Sequence, residues 1–377
     1  MKKLGYLLLL VLLGALSGAG GRWLHAHTAA GPASGHGGVW QMSGTLGLLL
    51  LAWLLAAGLH ELGHALLGRW QGFQFQWLAV GPFRWQSEAG RVRLRWNTDW
   101  YAAGGMVLSV PTDEQNLRWR FFAFAAGGPL ASLAWAALTL GGWALLPPAG
   151  RPQLLGLSLG LSGVMSLLLG VLTLLPLRFG GFASDGMRLL SLWRGGAASQ
   201  LETTVLAVMG CSVAGTRPRE LPLAALAAAE QLPDALPFKP YLYHYLYLAA
   251  LDAGQVAQAG HYLAAYRQRL VQLPAAQHGS VWLESAFFAA AYAHDLAAAR
   301  AFRAQAVASA LIPADVVPRV AAALAQLAGD ATEAHAQAQA ALRALPRNSD
   351  RGSSHFYAEW LHETLRWAAQ AGAPQAA

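Results

Sequence analysis

His60-Glu61-Leu62-Gly63-His64 lies inside an apolar run that opens near Gly44 and continues to about Leu67. Hydrocarbon penalises buried ionisable side chains by several kcal/mol, so three of them together in such a run mark function. On a helix, residues four apart share a face, and His60 and His64 can each turn a ring nitrogen toward one ion. Glu61, one position on, is rotated about 100° from His60. That places it to take a proton from metal-held water rather than to hold the metal. About twenty apolar residues suffice to span a bilayer, so this stretch is read as a membrane-spanning helix carrying a His-Glu-x-x-His metal-binding signature.

The rest of the composition agrees with an α-helical integral membrane protein. The chain has 377 residues, 55% of them hydrophobic and only 12% charged, with 15 tryptophans suited to anchoring at the membrane interface. That length leaves room for a membrane domain and one modest soluble domain. The formal net charge of +7 is almost all arginine, since lysine stands only at Lys2, Lys3 and Lys239. The arginines are not gathered on one element with interleaved stacking aromatics, which argues against nucleic acid as a partner. A single cysteine, Cys211, excludes an intramolecular disulfide framework and any cysteine-rich zinc site. Metal binding must then rest on histidine and carboxylate.

Four segments are long and apolar enough to span: about Leu4–Gly20, Gly44–Leu67, Phe121–Leu146 and Leu154–Leu177. The first, with Lys2 and Lys3 before it and small residues after it, reads either as a retained anchor or as a signal peptide, and the anchor is favoured. Between the second and third segments stand Arg69, Arg84, Arg91, Arg93, Arg95 and Arg118. The positive-inside rule puts residues 68–120 in the cytoplasm, with both the N-terminus and the C-terminal region. His60 and His64 then lie toward the cytoplasmic end of their span. Alanine- and arginine-rich composition suggests a bacterial inner (cytoplasmic) membrane.

Within residues 68–119, Phe73-Gln74-Phe75-Gln76-Trp77 and Arg91-Val92-Arg93-Leu94-Arg95-Trp96 alternate with period two. Gly81-Pro82 and Glu88-Ala89-Gly90 supply turn signals between them, which predicts a β-hairpin or small sheet. Two roles stand level: an edge strand that pairs with an unwound substrate segment, or a self-contained hairpin resting on the membrane surface. From about residue 199 the texture becomes alanine-rich soluble helix. Leu251-Asp252-Ala253-Gly254, Tyr292-Ala293-His294-Asp295 and Leu327-Ala328-Gly329-Asp330 look related, and Pro274, Pro313 and Pro346 punctuate the segment ends. Their separations lie near the roughly 34-residue period of tetratricopeptide repeats. The predicted organisation is an anchor and outer loop over 1–43, a membrane core over 44–198 and an all-α repeat-like domain over 199–377.

Two histidines leave a catalytic zinc one protein ligand short. The best third ligand is Asp185 in Phe182-Ala183-Ser184-Asp185-Gly186, an isolated acid just beyond the fourth segment. The glycine after it allows close backbone approach.

On these residues the chain resembles the site-2 protease family of intramembrane zinc metalloproteases, over about residues 44–195. His60-Glu61-Leu62-Gly63-His64 followed by Ala65-Leu66-Leu67-Gly68 is similar to the family's metal-binding helix. Leu175-Pro176 leading to Ser184-Asp185-Gly186 is similar to its third-ligand motif, and Gly127-Gly128-Pro129-Leu130-Ala131-Ser132 to its Gly-Pro segment. The resemblance implies zinc held by His60, His64 and Asp185, with Glu61 as general base. It also implies hydrolysis of peptide bonds in membrane-spanning substrates near the cytoplasmic face. Ser132 and Thr173 stand where the family often has asparagine, whose amide is thought to assist substrate binding or oxyanion stabilisation; a hydroxyl has shorter reach.

The competing reading is a membrane scaffold with a weak or inactive zinc site, whose C-terminal helices bind partner proteins. A structural zinc would not need Glu61 and would call for a fourth protein ligand, and none is evident. A metal transporter is disfavoured because ionisable residues do not line several spans. His25, His27 and His36 are read as a solvated loop. The histidines at 244, 261, 278, 294, 335, 355 and 362 lack ligand spacing. Tyr241, Tyr243, Tyr245 and Tyr247 alternate, but their helical neighbours favour packing within a helix.

Overall fold

A computed structural model describes residues 38–88, 90–98, 102–147, 153–179, 182–309 and 311–371. The first apolar segment, with His25, His27 and His36, lies outside the described residues. Among those described there are thirteen α-helices and a small antiparallel sheet. Three helices pack together: α1 (Gly38–Trp70), α2 (Leu117–Leu145) and α3 (Gln153–Leu174). Their stretches Gly47–Trp70, Leu117–Leu145 and Leu154–Leu174 are long and apolar enough to cross a membrane. They correspond to the second, third and fourth segments expected from the sequence. Helices α1 and α2 meet where Gly63 faces Gly127, and a methyl group on either would strike the backbone of the other. Small residues permit that close approach between apolar helices.

The chain leaves α1 through Gly72 (φ 74°) into a four-stranded sheet. Its strands are β1 (Phe73–Val80), β2 (Phe83–Glu88), β3 (Arg91–Trp96) and β4 (Met106–Pro111), in the order β3-β2-β1-β4. All neighbours are antiparallel, with Trp85 opposite Leu94 and Leu78 opposite both Trp85 and Val107. Alternation marked β1 and β3, and the expected turns fall where Gly81 and Gly90 take positive φ. Strand β4 escaped notice because Met-Val-Leu-Ser-Val-Pro has no period of two.

The sheet does not rest beyond the helix end, as a surface hairpin would. Strand β1 runs back along α1, so that Leu78 and Val80 pack with Ala57 and Leu54. The cause is its second half, Trp77-Leu78-Ala79-Val80, apolar on both faces and buried on both. At about 1.5 Å per residue, the distance from Trp70 back to Leu54 is about 24 Å, most of a bilayer's apolar thickness. The outer β2–β3 hairpin segregates its faces, with Phe83, Trp85, Leu94 and Trp96 on one and Arg84, Gln86, Arg93 and Arg95 on the other. That apolar face is exposed.

After α3, a two-stranded turn, β5 (Arg178–Phe179) with β6 (Phe182–Ala183), leads into α4 (Asp185–Arg194) and α5 (Gly196–Ala214). Helix α5 joins two cores. Leu206 packs with Phe73, Phe121 and Phe124, while Leu201, Val205 and Val208 enter the large core of the following helices. Those helices are α6 (Leu223–Glu230), α7 (Lys239–Asp252), α8 (Val256–Gln268), α9 (His278–Ala291), α10 (Leu296–Gln305), α11 (Val316–Leu327), α12 (Ala331–Ala344) and α13 (Arg351–Ala371). The three related stretches fall on the turns α7–α8, α9–α10 and α11–α12. Each carries one residue in the left-handed region: Gly254 (φ 74°), His294 (φ 52°) and Gly329 (φ 79°). Asp295 and Asp330 then cap α10 and α12 by accepting from Ala298 N–H and Glu333 N–H. The four alternating tyrosines lie on α7, and Tyr243, Tyr245 and Tyr247 are buried in its core.

Candidate metal centre

His60, Glu61 and His64 occupy α1 about two turns before its end, and all three are buried. Asp185 is the first residue of α4. One oxygen of Asp185 lies 3.1 Å from His60 Nε2 and the other 3.4 Å from His64 Nε2. Ligand atoms about 2.0–2.1 Å from a tetrahedral zinc stand about 3.3 Å apart, so the spacing matches. The site therefore unites the three residues expected to hold a metal, across 121 positions of sequence from His64 to Asp185.

Each of the two histidines has an orienting partner. His60 Nδ1 lies 2.9 Å from the Ser132 hydroxyl. His64 Nδ1 lies 2.8 Å from the Phe124 carbonyl and 3.2 Å from the Gly128 amide. With Nε2 directed at a metal, Nδ1 carries the proton, so it donates to Ser132 Oγ in the first ring and to Phe124 O in the second. The shorter Phe124 contact is therefore the hydrogen bond. To hold a metal, Asp185 would serve as the carboxylate, with one oxygen toward each bare Nε2.

The backbone makes the room. A methyl group on Gly128 would press against Nε2 of both His60 and His64, the two atoms that face Asp185. A methyl group on Gly186 would strike the Leu174 carbonyl, so only glycine lets α4 start against the end of α3. Helix α4 is pinned at both ends. Ser184 Oγ accepts from Met187 N–H at the first turn, and Arg118 donates to the Leu192 and Trp193 carbonyls at the last.

Glu61 lines the same cavity, of about 360 Å³, with Gly105, Met106 and Val107 from the start of β4. Gly105 (φ 116°) brings its backbone against the Glu61 carboxylate. That carboxylate makes no hydrogen bond among the described residues and is free to take a proton. Thr173 also lines the cavity, but its hydroxyl donates to Gly170 O of its own helix. Arg188, which the sequence reading missed, lines the cavity too. Its only signal was its place three residues after Asp185. Protein-family models, curated proteins and solved structures yield no match to the chain.

Proposed function

We propose that the chain is an intramembrane zinc metalloprotease of the site-2 protease type, cutting membrane-spanning substrates near the cytoplasmic face. The observation that carries this reading is the convergence of His60, His64 and Asp185, with Glu61 beside them, in one cavity among apolar helices. The donor set of two neutral imidazoles and one carboxylate suits zinc with an open position, and the space kept by Gly128 fits the ion. Zinc held there supplies Lewis-acid polarisation of a carbonyl and a water acidic enough to react near neutral pH.

The protein's own groups do the rest. Glu61 accepts the proton of the attacking water and returns it to the leaving amine. Ser132 and Phe124 fix the imidazole planes. Strand β4 has a strand neighbour on one side only, and Met106 and Val107 line the cavity beside Glu61. Its open edge can pair with an unwound substrate segment, which would present the scissile carbonyl as an extended strand. Among the two strands at the sheet's edges, β4 and not β3 stands at the metal site. The arginines between α1 and α2 support, by the positive-inside rule, a cytoplasmic position for this end of α1 and for the three-hairpin helical region; the membrane proposed is a bacterial inner one. That region is read as tetratricopeptide-like and as a surface for a protein partner.

A second reading, a membrane scaffold with a weak or inactive zinc site, is favoured by Ser132 and Thr173. The hydroxyl of Ser132 faces His60 and that of Thr173 its own helix, so neither is aimed at a substrate. Detergent-purified protein and Glu61→Gln are compared on single-span substrates, with bound zinc quantified. One zinc per chain in both, with cutting only by the unsubstituted chain, establishes the protease. Zinc in both with no cutting by either favours the scaffold, and folded protein without zinc ends the protease reading.

A further inference from the structure

Arg188 is the one arginine or lysine among the described residues lining the metal cavity. It lies one helical turn after Asp185, so both side chains leave the same face of α4. Its Nε–H donates to Glu202 Oε1 at 2.9 Å, and Glu202 is a buried residue of α5. Its guanidinium also lies 5.2 Å from the centre of the Phe121 ring. These two contacts fix the side chain in position and occupy only one edge of it. The two terminal amino groups make no hydrogen bond to the described residues, and they remain open to solvent. Neither acid of the metal site takes them up. Both Asp185 oxygens face histidine, and no ion pair joins Arg188 to Glu61.

We propose that Arg188 is a specificity-determining residue whose free terminal amino groups bind an aspartate or glutamate side chain of the substrate beside the scissile bond. The proposal deepens the protease reading and rests on it. A guanidinium held by its Nε edge still presents a planar pair of donors, which matches a carboxylate bidentately. The site is partly withdrawn from water, where a charge-assisted pair is stronger than at a surface. An acidic residue in a membrane-spanning substrate comes to rest at an end of its span, and the cytoplasmic end is the one assigned to α4. Glu202 lies on the helix that enters the large C-terminal core, so that region sets the position of the selecting residue.

The test uses the full-length, zinc-loaded chain and matched single-span substrates bearing Glu, Gln or Lys at each position flanking the cut. The unsubstituted chain should prefer Glu over Gln at one position by about tenfold or more in kcat/KM. Arg188→Gln, which can still donate to Glu202, should bring that ratio to about one. Arg188→Glu combined with Glu202→Gln should turn the preference toward Lys. A Glu-to-Gln ratio that Arg188→Gln leaves unchanged would overturn the proposal. So would a loss equal on every substrate, which would assign Arg188 to the oxyanion or to the carboxylate released by cleavage.

Binding separates this from failure of the protease reading. Affinity for the labelled Glu and Gln substrates is measured on Glu61→Gln, with and without Arg188→Gln. An Arg188-dependent preference in binding, with no substrate cut by the unsubstituted chain, would uphold the recognition and sink the protease. Equal binding of both substrates would sink the recognition alone.

Discussion

The Ser132 hydroxyl lies 2.9 Å from Nδ1 of His60, at the centre of the contact between α1 and α2. Ser132 is wholly buried, so its oxygen serves the imidazole and not the cavity. A ligand histidine depends on such a partner for its tautomer and ring plane. Ser132→Ala should weaken zinc binding by about 10–100-fold, measured by competition with a chromophoric chelator. Ser162→Ala, which removes a partner of Trp135 away from the metal site, should leave zinc affinity within error. Equal losses in the two variants would show that Ser132 acts only through packing.

Gly128 gives a sharper test of where the ion sits. Its missing side chain is the space against which both Nε2 atoms converge, so Gly128→Ala should fold but fail to retain zinc through gel filtration. Gly141→Ala, on the same helix with nothing near its added methyl, should retain it. Full zinc occupancy in Gly128→Ala would move the ion away from the face where these nitrogens meet.

The cluster of His60, His64 and Asp185 was legible in the sequence because its chemistry is costly in an apolar setting. His60, Glu61 and His64 have no cheap reason to sit in such a run, and Asp185 is an isolated acid followed by a glycine the backbone requires. The α7–α8, α9–α10 and α11–α12 turns were legible for a similar reason, since glycine or a short acidic cap marks each. Strand β4 was not, because Met106-Val107-Leu108 is apolar at successive positions and leaves no alternation to read. The path of β1 along α1 was equally hidden, being a tertiary choice made by apolar residues that could have faced lipid. The role of Ser132 arises only in the folded chain, since 72 positions separate it from the ring it orients.

Gly186 links Asp185 to the fold. Adding a methyl there forces α4 away from the Leu174 carbonyl, at a cost of about 1–3 kcal/mol for overpacking. Because Asp185 is the preceding residue, Gly186→Ala should lose thermal stability and zinc together. Chelation of the unsubstituted chain should lower its unfolding temperature, since a ligand at about 100 times its Kd adds about 2.7 kcal/mol. In Gly186→Ala the chelator should then produce little further change. A chelator effect as large as in the unsubstituted chain would mean that Asp185 had not moved.

The C-terminal helices are held by a buried ion pair whose removal should open them. Arg319 on α11 is 1% exposed, donates to Glu284 Oε1 on α9 at 2.6 Å and stacks 3.5 Å over the Tyr357 ring. Tyr247 and Tyr357 donate to the other oxygen of Glu284, joining α7, α9, α11 and α13. Burial works to raise the Glu284 pKa, and Arg319 outweighs it, so the pKa is lower in the folded chain than in the unfolded one. The stability it contributes is present above the ordinary glutamate value and is lost as pH falls through the lowered one.

Removing one partner of such a pair costs about 3–5 kcal/mol, because the other charge stays buried alone. Cys211, the single thiol, packs partly against this core, and its rate of reaction with a thiol reagent reports opening. Arg319→Met should raise that rate by about a hundredfold or more at neutral pH. Arg319→Met also leaves Asp315, 3.7 Å from the Arg319 Nε, so adding Glu284→Gln removes one of two stranded charges while keeping an acceptor for the tyrosines, and the double variant should react more slowly than Arg319→Met alone. A double variant that reacts faster than either single one would show that the two residues act independently and that the ion pair does not hold these helices together.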